Sequence, residues 1–324
     1  MFTHLSVHSN TSFLHSFSKP ASIVRRAKEI GSTACAITDF NLFNIIHFYT
    51  KCLAENIKPI IGATVYFCES VAEYKSNNIR NFYTLTLLAE NEVGFKNLSR
   101  IVSAANAKDH FYYRPRVDFE LLSQYKEGII CLSGNSFDGL IGYNCYEKID
   151  TDGEVKETFA ILRAEAFTRR MKEIFDNDHF YLEVQDHGYP HQKIANKKVR
   201  SIAQKYNLKT VATNSCFYLA ENDAAPHKVL LGTNDNIYNK TTLIDFSLES
   251  FFMKSEEQMR LCDLTDEEIN ITSVIADRCN VSIDMKKRRL PQYKFIPEHH
   301  NATSYLRQLA FDGLKALGLE NQEY

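Results

Sequence analysis

Short apolar stretches alternate with amphipathic ones along most of this chain. In the first amphipathic stretch Ile23, Val24 and Ala27 fall on one helical face. The apolar stretches predict strands at 33–39, 57–67, 81–89, 128–134, 179–185 and 208–214. The amphipathic stretches predict helices at 19–30, 42–55, 91–105, 154–175, 190–206, 221–232, 255–261 and 265–279. This alternation is typical of parallel strands covered by helices.

The number of strand–helix units favours a closed α/β barrel over an open dinucleotide-binding sheet. About six or seven such units occur, and no Gly-x-Gly-x-x-Gly follows the first strand. We predict that residues 1–283 form this domain. Residues 284–297 become basic and then proline-punctuated, which predicts a linker, and a short helix is predicted at 303–316. In such barrels the chemistry lies at the C-terminal ends of the strands.

Composition and charge narrow the function classes. The chain has 324 residues, 44% of them hydrophobic, and a formal net charge of -2. A chain with so little net charge does not attract nucleic acid over its whole surface, although it can still bind nucleic acid through a local basic patch. The basic run 286–289 can touch phosphates, but a solvated linker is the favoured interpretation.

The absence of targeting segments in the sequence and the spacing of its cysteines predict a cytoplasmic protein. No apolar run reaches the length that spans a bilayer, and the N-terminus lacks the pattern of a secretion signal. The eight cysteines include no Cys-x-x-Cys pair. Reduced thiols are therefore expected rather than a zinc knuckle or a disulfide framework.

Candidate polar chemistry follows the predicted strands. The N-terminal segment is rich in histidine, with His4, His8 and His15. These side chains are either candidate metal ligands or hydrogen-bonded side chains without a metal. Asp39 ends a strand, where a barrel-site carboxylate or a helix cap is expected. Two further candidates, Asp186 and His187, can form a carboxylate–histidine pair or simply be polar loop residues.

Nine segments in collinear order carry a resemblance to a known family. They are THLSVHSNTSFLHS, ACAITDFNLFNIIHFY, NIKPIIGATVYF, LTLLAENEVGFKNLSRIVS, FYYRPRVDFELLSQYKEGIICLSGN, FYLEVQDHG, TVATNSCFYL, DAAPHKVLLG and ADRCNVSIDM. Together they resemble the polymerase and histidinol phosphatase (PHP) domain, in the form found at the N-terminus of bacterial DNA polymerase III alpha subunits. The resemblance covers essentially the whole chain and implies a distorted (β/α)7-type barrel.

The resemblance also implies where a metal cluster would lie. In metal-binding members of the family, up to nine side chains at the strand ends hold the metal ions. The matching positions here are Ser6, His8, His15, Phe40, Thr64, Thr84, Asn135, Ser215 and Phe217. His8 is a retained ligand, and His15 replaces an acid but can still bind a metal. The other seven positions have lost their ligand.

The losses predict a degenerate metal site. A cluster of two or three ions needs carboxylates to offset and bridge the cations, and Thr64 and Ser215 stand where the bridging acids would be. Phe40 and Phe217 place apolar rings where the family has imidazoles, which predicts a site packed shut. We expect no cofactor in this chain, although a single adventitious Zn²⁺ on His8 and His15 is compatible with this view.

The resemblance implies a structural role in DNA replication. We expect a cytoplasmic domain that supports the rest of a polymerase alpha subunit and contacts the proofreading exonuclease subunit, with DNA bound through the parent and no membrane contact. The parent would be a DNA-directed DNA polymerase whose Mg²⁺-binding palm lies beyond residue 324, so the chain is expected to be part of a longer polypeptide. This chain alone would not polymerise DNA.

Two alternative functions are enzymatic. The first is an active metal-dependent phosphoesterase, acting as a proofreading exonuclease or a pyrophosphatase, and the missing acids argue against it. The second is a stand-alone enzyme similar to histidinol phosphatase. The polymerase-type segment 111–116, FYYRPR, argues against this second alternative.

Overall fold

The computed structural model describes residues 2–145, 157–238, 244, 246–285 and 293–319. The chain divides into two compact units, Met1–Ser282 and Ile283–Tyr324. The basic run 286–289 and the first residues of the helix predicted at 154–175 lie outside the described residues.

A curled mixed sheet forms the body of the first unit. Its strands are hydrogen-bonded in the order β4-β5-β2-β3-β6-β7-β8, and β1 pairs with β2. The bounds are β1 Ala34–Ile37, β2 Lys58–Phe67, β3 Tyr83–Ala89, β4 Phe111–Tyr112, β5 Arg114–Val117, β6 Ile129–Leu132, β7 Phe180–Val184 and β8 Lys209–Ala212. Each of the six strands predicted from the apolar pattern is present.

The N-terminal segment, residues 4–8, closes this sheet into a barrel. On one side its carbonyls accept hydrogen bonds from β1 and the residue after it, from Ala36 to His4 at 3.1 Å and from Thr38 to Val7 at 2.8 Å. On the other side it pairs with Cys216, which follows β8; the two bonds are 2.8 and 2.9 Å long. The distorted α/β barrel predicted from the sequence is therefore confirmed.

The expectation of parallel strands throughout is wrong at β3, which runs antiparallel to both β2 and β6. Only the six-residue helix α3, Val71–Ser76, lies between β2 and β3. At about 1.5 Å per residue this helix is roughly 9 Å long, too short to return the chain along a strand such as β2. The chain therefore turns back and pairs in the opposite direction.

Helices cover the outside of the barrel. Those of the first unit are α1 Pro20–Glu29, α2 Ile45–Ala54, α3, α4 Glu92–Ala105, α5 Phe119–Gln124, α6 Leu140–Cys145, α7 Glu157–Ile174, α8 Pro190–Tyr206, α9 Ala224–Tyr238, α10 Glu256–Arg260 and α11 Asp266–Arg278. The prediction of 221–232 for α9 is wrong at both ends, because 221–223 form a 3-10 turn and the helix continues to Tyr238. The second unit contains α12, Ala302–Ala316.

The barrel interior is filled by apolar side chains from the N-terminal segment, from six strands and from α11. This core consists of Leu5, Ala34, Ala36, Ile60, Leu88, Ile130, Leu132, Tyr181, Val211, Ile271, Ile275, Ala276 and Cys279. This part of the interior is therefore packed, and the cavity described below lies toward the carboxyl ends of the parallel strands. No helix in the described part of the chain is long and apolar enough to cross a membrane.

Candidate functional site at the mouth of the barrel

A small cavity lies among the side chains at the carboxyl ends of the parallel strands. Its volume of about 10 Å³ is near the lower limit for holding one water molecule. Its lining is mostly hydroxyl, amide and aromatic groups, from Ser6, His8, Phe40, Thr64, Thr84, Thr86, Asn135, Asp138, Glu183, Ser215, Phe217 and Ile244. Eight of the nine positions named from the sequence thus come together here, and His15 is the exception.

Stacked aromatic rings fill one side of the cavity. The His8 imidazole lies parallel to the Phe217 ring, with centroids 4.5 Å apart and an interplanar angle of 7°. The other stacking neighbour of His8 is Phe40, at 5.4 Å, and Phe40 in turn stacks on Tyr66 at 4.8 Å. The Arg114 guanidinium lies 4.8 Å from the Tyr66 ring centre. These residues form an aromatic column from the cavity to the barrel rim.

Burial controls the chemistry of His8. The imidazole is buried within this column, and its burial lowers the pKa to about 3. The ring is therefore neutral at physiological pH, and its Nδ1 atom lies 3.3 Å from the Ser12 hydroxyl. A neutral imidazole can bind a metal, but this one is sandwiched between aromatic rings rather than surrounded by further ligands.

Asp138 binds the residues at two of the former ligand positions, Thr84 and Asn135. Its Oδ1 atom accepts hydrogen bonds from the Thr84 hydroxyl at 2.5 Å and from the Asn135 amide at 2.6 Å. Burial raises the pKa of this carboxyl to about 6, although the two hydrogen bonds oppose the shift. Thr84 and Asn135 are consequently committed to holding an acid in place.

Glu183 is the second acid in the lining of the cavity. It accepts a 2.6 Å hydrogen bond from the Thr213 hydroxyl, and burial raises its pKa to about 7. Gln185 donates to Thr213 and also to Ser215, the latter at 2.9 Å. Ser215 therefore accepts a hydrogen bond from an amide, in a network that also includes Glu183, where the family has a bridging acid.

Sequence reasoning missed Asp138 and Glu183. Glu183 is the one acid inside the apolar strand FYLEV, and all five residues of β7 are buried. A single acidic residue at an inward-facing position of an apolar strand indicates a functional carboxyl, and this pattern could have identified Glu183. Asp138 was harder to identify, because it lies in a polar loop after β6. The pattern of apolar and polar residues does not define the conformation of such a loop.

His15 lies outside the cavity lining. Its ring contacts Phe40, with centroids 5.3 Å apart. Its carbonyl oxygen is 2.8 Å from the His227 ring nitrogen Nε2, and burial lowers the pKa of His15 to about 4.

Asp39 organises a loop rather than serving as a site carboxylate or a helix cap. Its two oxygens accept hydrogen bonds from Ser9, Thr11 and Ser12, at 2.5–2.8 Å. The residue at the start of α2 is Asn44. Both predicted roles of Asp39 are therefore wrong, because the loop after the N-terminal segment folds back over the strand end and takes up the carboxylate.

Of the two interpretations of Asp186 and His187, the structure contradicts the carboxylate–histidine pair and leaves that of polar loop residues. The carboxylate of Asp186 accepts from the backbone amides of Gly188 and Asp263. The His187 ring contacts Ser250 and Gln185 and stacks on Phe251 at 4.0 Å. Adjacent side chains at the end of a strand point in opposite directions, which separates the two groups.

The donor set does not fit a metal cluster. Within the described residues, no group of three or more His, Cys, Asp or Glu side chains is placed to hold a metal ion. The one imidazole in the cavity is stacked between rings, and its two acids are held by hydroxyl and amide groups. We therefore derive no chemical step through a metal at this site.

Comparisons with known proteins agree with the sequence pattern. The family model described as "PHP domain" matches residues 4–187. DNA polymerase III subunit alpha of Treponema pallidum is 36% identical over 97% of this chain, and that of Thermus aquaticus is 34% identical over 97%. The chain spans 26% of the length of each of these two relatives.

A solved structure gives a more distant match. It is a two-domain protein from Bacteroides vulgatus containing a predicted PHP-like metal-dependent phosphoesterase. The match has a TM-score of 0.37 and 13% identity, and it covers 67% of this chain and 52% of that protein.

Proposed function

This chain belongs to the PHP domain family, and from that membership we propose that it is the structural PHP region of a replicative DNA polymerase alpha subunit. In this proposal the barrel has no phosphoesterase activity of its own. It supports the polymerase region of the longer polypeptide and provides a binding surface for the proofreading exonuclease subunit, in the cytoplasm. Polymerase activity, with Mg²⁺ in the palm, belongs to that longer polypeptide.

The observation that carries this proposal is the aromatic column in the cavity. Phe217 is 1% exposed and stacks against His8, and Phe40 packs on the opposite face of the same ring. These rings fill the space that a metal cluster would need. Without a bound metal there is no route to a hydroxide nucleophile near neutral pH.

Hydrolytic assays test the loss of activity. The full chain is incubated with nitrophenyl phosphate, pyrophosphate and a mismatched primer–template, with Mn²⁺ and Zn²⁺ supplied. We expect no turnover above that of the His8→Ala variant. Turnover that His8→Ala abolishes would support the alternative, an active metal-dependent phosphoesterase.

Binding to the exonuclease subunit tests the structural role. The chain is mixed with the proofreading exonuclease subunit of the same organism and analysed by size-exclusion chromatography. A complex that survives His8→Ala agrees with a role independent of the cavity chemistry. Failure of the folded chain to form any complex would contradict the proposed partner.

A further inference from the structure

The hairpin formed by β4 and β5 ends in a backbone conformation that is rare for an aromatic residue. Tyr112 pairs with Arg114, which leaves Tyr113 at the tip with a φ of 59°. Bulky side chains seldom adopt this left-handed region, and such outliers concentrate at functional sites. The hairpin joins the sheet through Arg116 and Val117, which pair in parallel with Tyr66 and Phe67 at the end of β2.

The strained tip displays aromatic surface. The Tyr113 side chain is 59% exposed and that of Phe111 is 48% exposed. The Arg80 guanidinium lies over the Tyr113 ring, 4.3 Å from its centre. One face of the ring is thus covered by a cation, and Tyr112 packs edge-to-face against the ring with the centroids 4.8 Å apart. The exposed remainder is available to a flat ligand.

A buried arginine holds this arrangement rigid. Arg116 is fully buried and donates three hydrogen bonds to backbone carbonyls, of Tyr112 at 3.0 Å, Asn81 at 2.6 Å and Arg80 at 2.8 Å. One guanidinium therefore fixes both the hairpin and the segment that carries Arg80. Because the two parts are held together in advance, little side-chain or loop ordering remains to oppose binding.

The charge around the hairpin is positive, whereas that of the whole chain is not. Residues 73–82 and 108–116 contain five Lys and Arg residues and two acids, in a chain of formal net charge -2. Lys75 donates to the backbone carbonyl of Lys108. Over the part of the chain that the structure describes, neither Arg80 nor Lys108 forms an ion pair with an acidic side chain.

We propose that this hairpin surface, comprising Arg80, Lys108, Phe111 and Tyr113, binds single-stranded nucleic acid. An unpaired base stacks on the Tyr113 ring, and Arg80 and Lys108 contact the phosphates. Exposed aromatic rings beside unpaired cations are the features by which proteins bind single strands without sequence preference. Duplex DNA cannot offer its base faces to the ring, so the surface discriminates in favour of the single strand. This assignment goes beyond the structural role proposed above and does not depend on it.

Fluorescence anisotropy with a labelled oligothymidine of about 16 nucleotides tests the proposal. Tyr113→Gly removes the ring and also suits the left-handed backbone, so the variant stays folded. We expect it to weaken binding at least about fivefold, which is the low end for one stacked base. Tyr113→Phe keeps the ring and should bind within about twofold of the parent chain.

Arg80→Gln tests the phosphate contact. It should weaken binding and reduce the slope of log K against log salt by about 0.7, the value for one phosphate contact on a single strand. Matched controls are Phe43→Ala, which removes an exposed ring elsewhere, and Lys197→Gln, which removes an exposed cation on α8. Both controls should bind like the parent chain.

Three results would overturn the proposal. They are no binding of the parent chain at low salt, equal effects of Tyr113→Gly and Phe43→Ala, and competition by duplex DNA as effective as by the single strand. Loss of the exonuclease complex in Tyr113→Gly, with oligothymidine binding unchanged, would assign the hairpin to a protein partner instead.

Discussion

Phe217 is the residue on which the cavity depends most. It is almost fully buried, stacks on His8 and packs edge-on against Phe246 at 5.2 Å. In a metal-binding barrel this position would be exposed to the ions and their water. Here it joins the apolar cluster under the loop that contains Phe251, so its side chain now contributes to stability rather than to ligand binding.

Truncating Phe217 should therefore destabilise the domain. We predict that Phe217→Ala lowers the free energy of unfolding by about 3–5 kcal/mol, measured by denaturant unfolding. Phe43→Ala is the matched control, because Phe43 is 84% exposed and its loss should change stability by no more than about 0.5 kcal/mol. Equal unfolding midpoints for the two variants would show that the cavity is not packed by this ring.

Buried histidines make the fold sensitive to acid. Burial, with a smaller effect of the nearby Lys254 charge, lowers the pKa of His187 from 6.5 to about 3. Between these two values the unfolded chain binds a proton that the folded chain does not. Stability from this residue is thus complete above pH 6.5 and falls as the pH drops toward 3.

Replacing His187 should reduce that sensitivity. We predict that His187→Gln lowers the slope of unfolding free energy against pH by about 1.4 kcal/mol per pH unit in this window. The parent chain, measured in parallel, provides the reference slope. The measurement is a series of urea unfolding curves between pH 4 and pH 6, and an unchanged slope for His187→Gln would contradict the assignment.

At the scale of elements, the long periodic segments were predictable, whereas the elements that the pattern missed are all short. The helices α1, α4, α8 and α11 and the strand β2 lie within one residue of the predicted bounds. The sequence pattern missed α3, α5, α6 and the hairpin of β4 and β5, each strand or helix at most six residues long. Such elements span too few turns or alternations to show a period, and contacts with the barrel determine their structure.

One close contact between elements depends on two glycines. Gly94, in α4, lies so near the Gly128 carbonyl before β6 that a Cβ atom there would be 1.8 Å from the oxygen. We predict that Gly94→Ala destabilises the domain by about 1–3 kcal/mol or more, measured by thermal and denaturant unfolding.

Gly232, in α9, is the matched control for that substitution. Nothing lies within 4 Å of its Cβ position. Gly232→Ala should therefore stabilise the helix by up to about 1 kcal/mol. A destabilisation of similar size in both variants would mean that the backbone contact at Gly94 is unimportant.

At the scale of the whole molecule, the position of the site could be predicted from the sequence, but the hydrogen bonds and roles of its acidic residues could not. Eight of the nine positions taken from the family resemblance line one cavity, because the strand ends and loops that carry them meet at the same side of the barrel. The roles of Asp138 and Glu183 depend on inward-facing positions and loop geometry, which one sequence does not define. The closure of the barrel by residues 4–8 was also not predicted. This segment alternates polar and apolar residues, but it is only five residues long and pairs only through tertiary contacts.

The central claim is that the place of the family's metal cluster is now a packed part of the protein interior. The most direct test is the metal content of the folded chain, measured by elemental mass spectrometry after equilibration with Zn²⁺ or Mn²⁺ and removal of free ions. We predict fewer than two ions per chain, with no change in Mn²⁺ content on His8→Ala. Two or more ions per chain, with the excess lost in His8→Ala, would contradict the account.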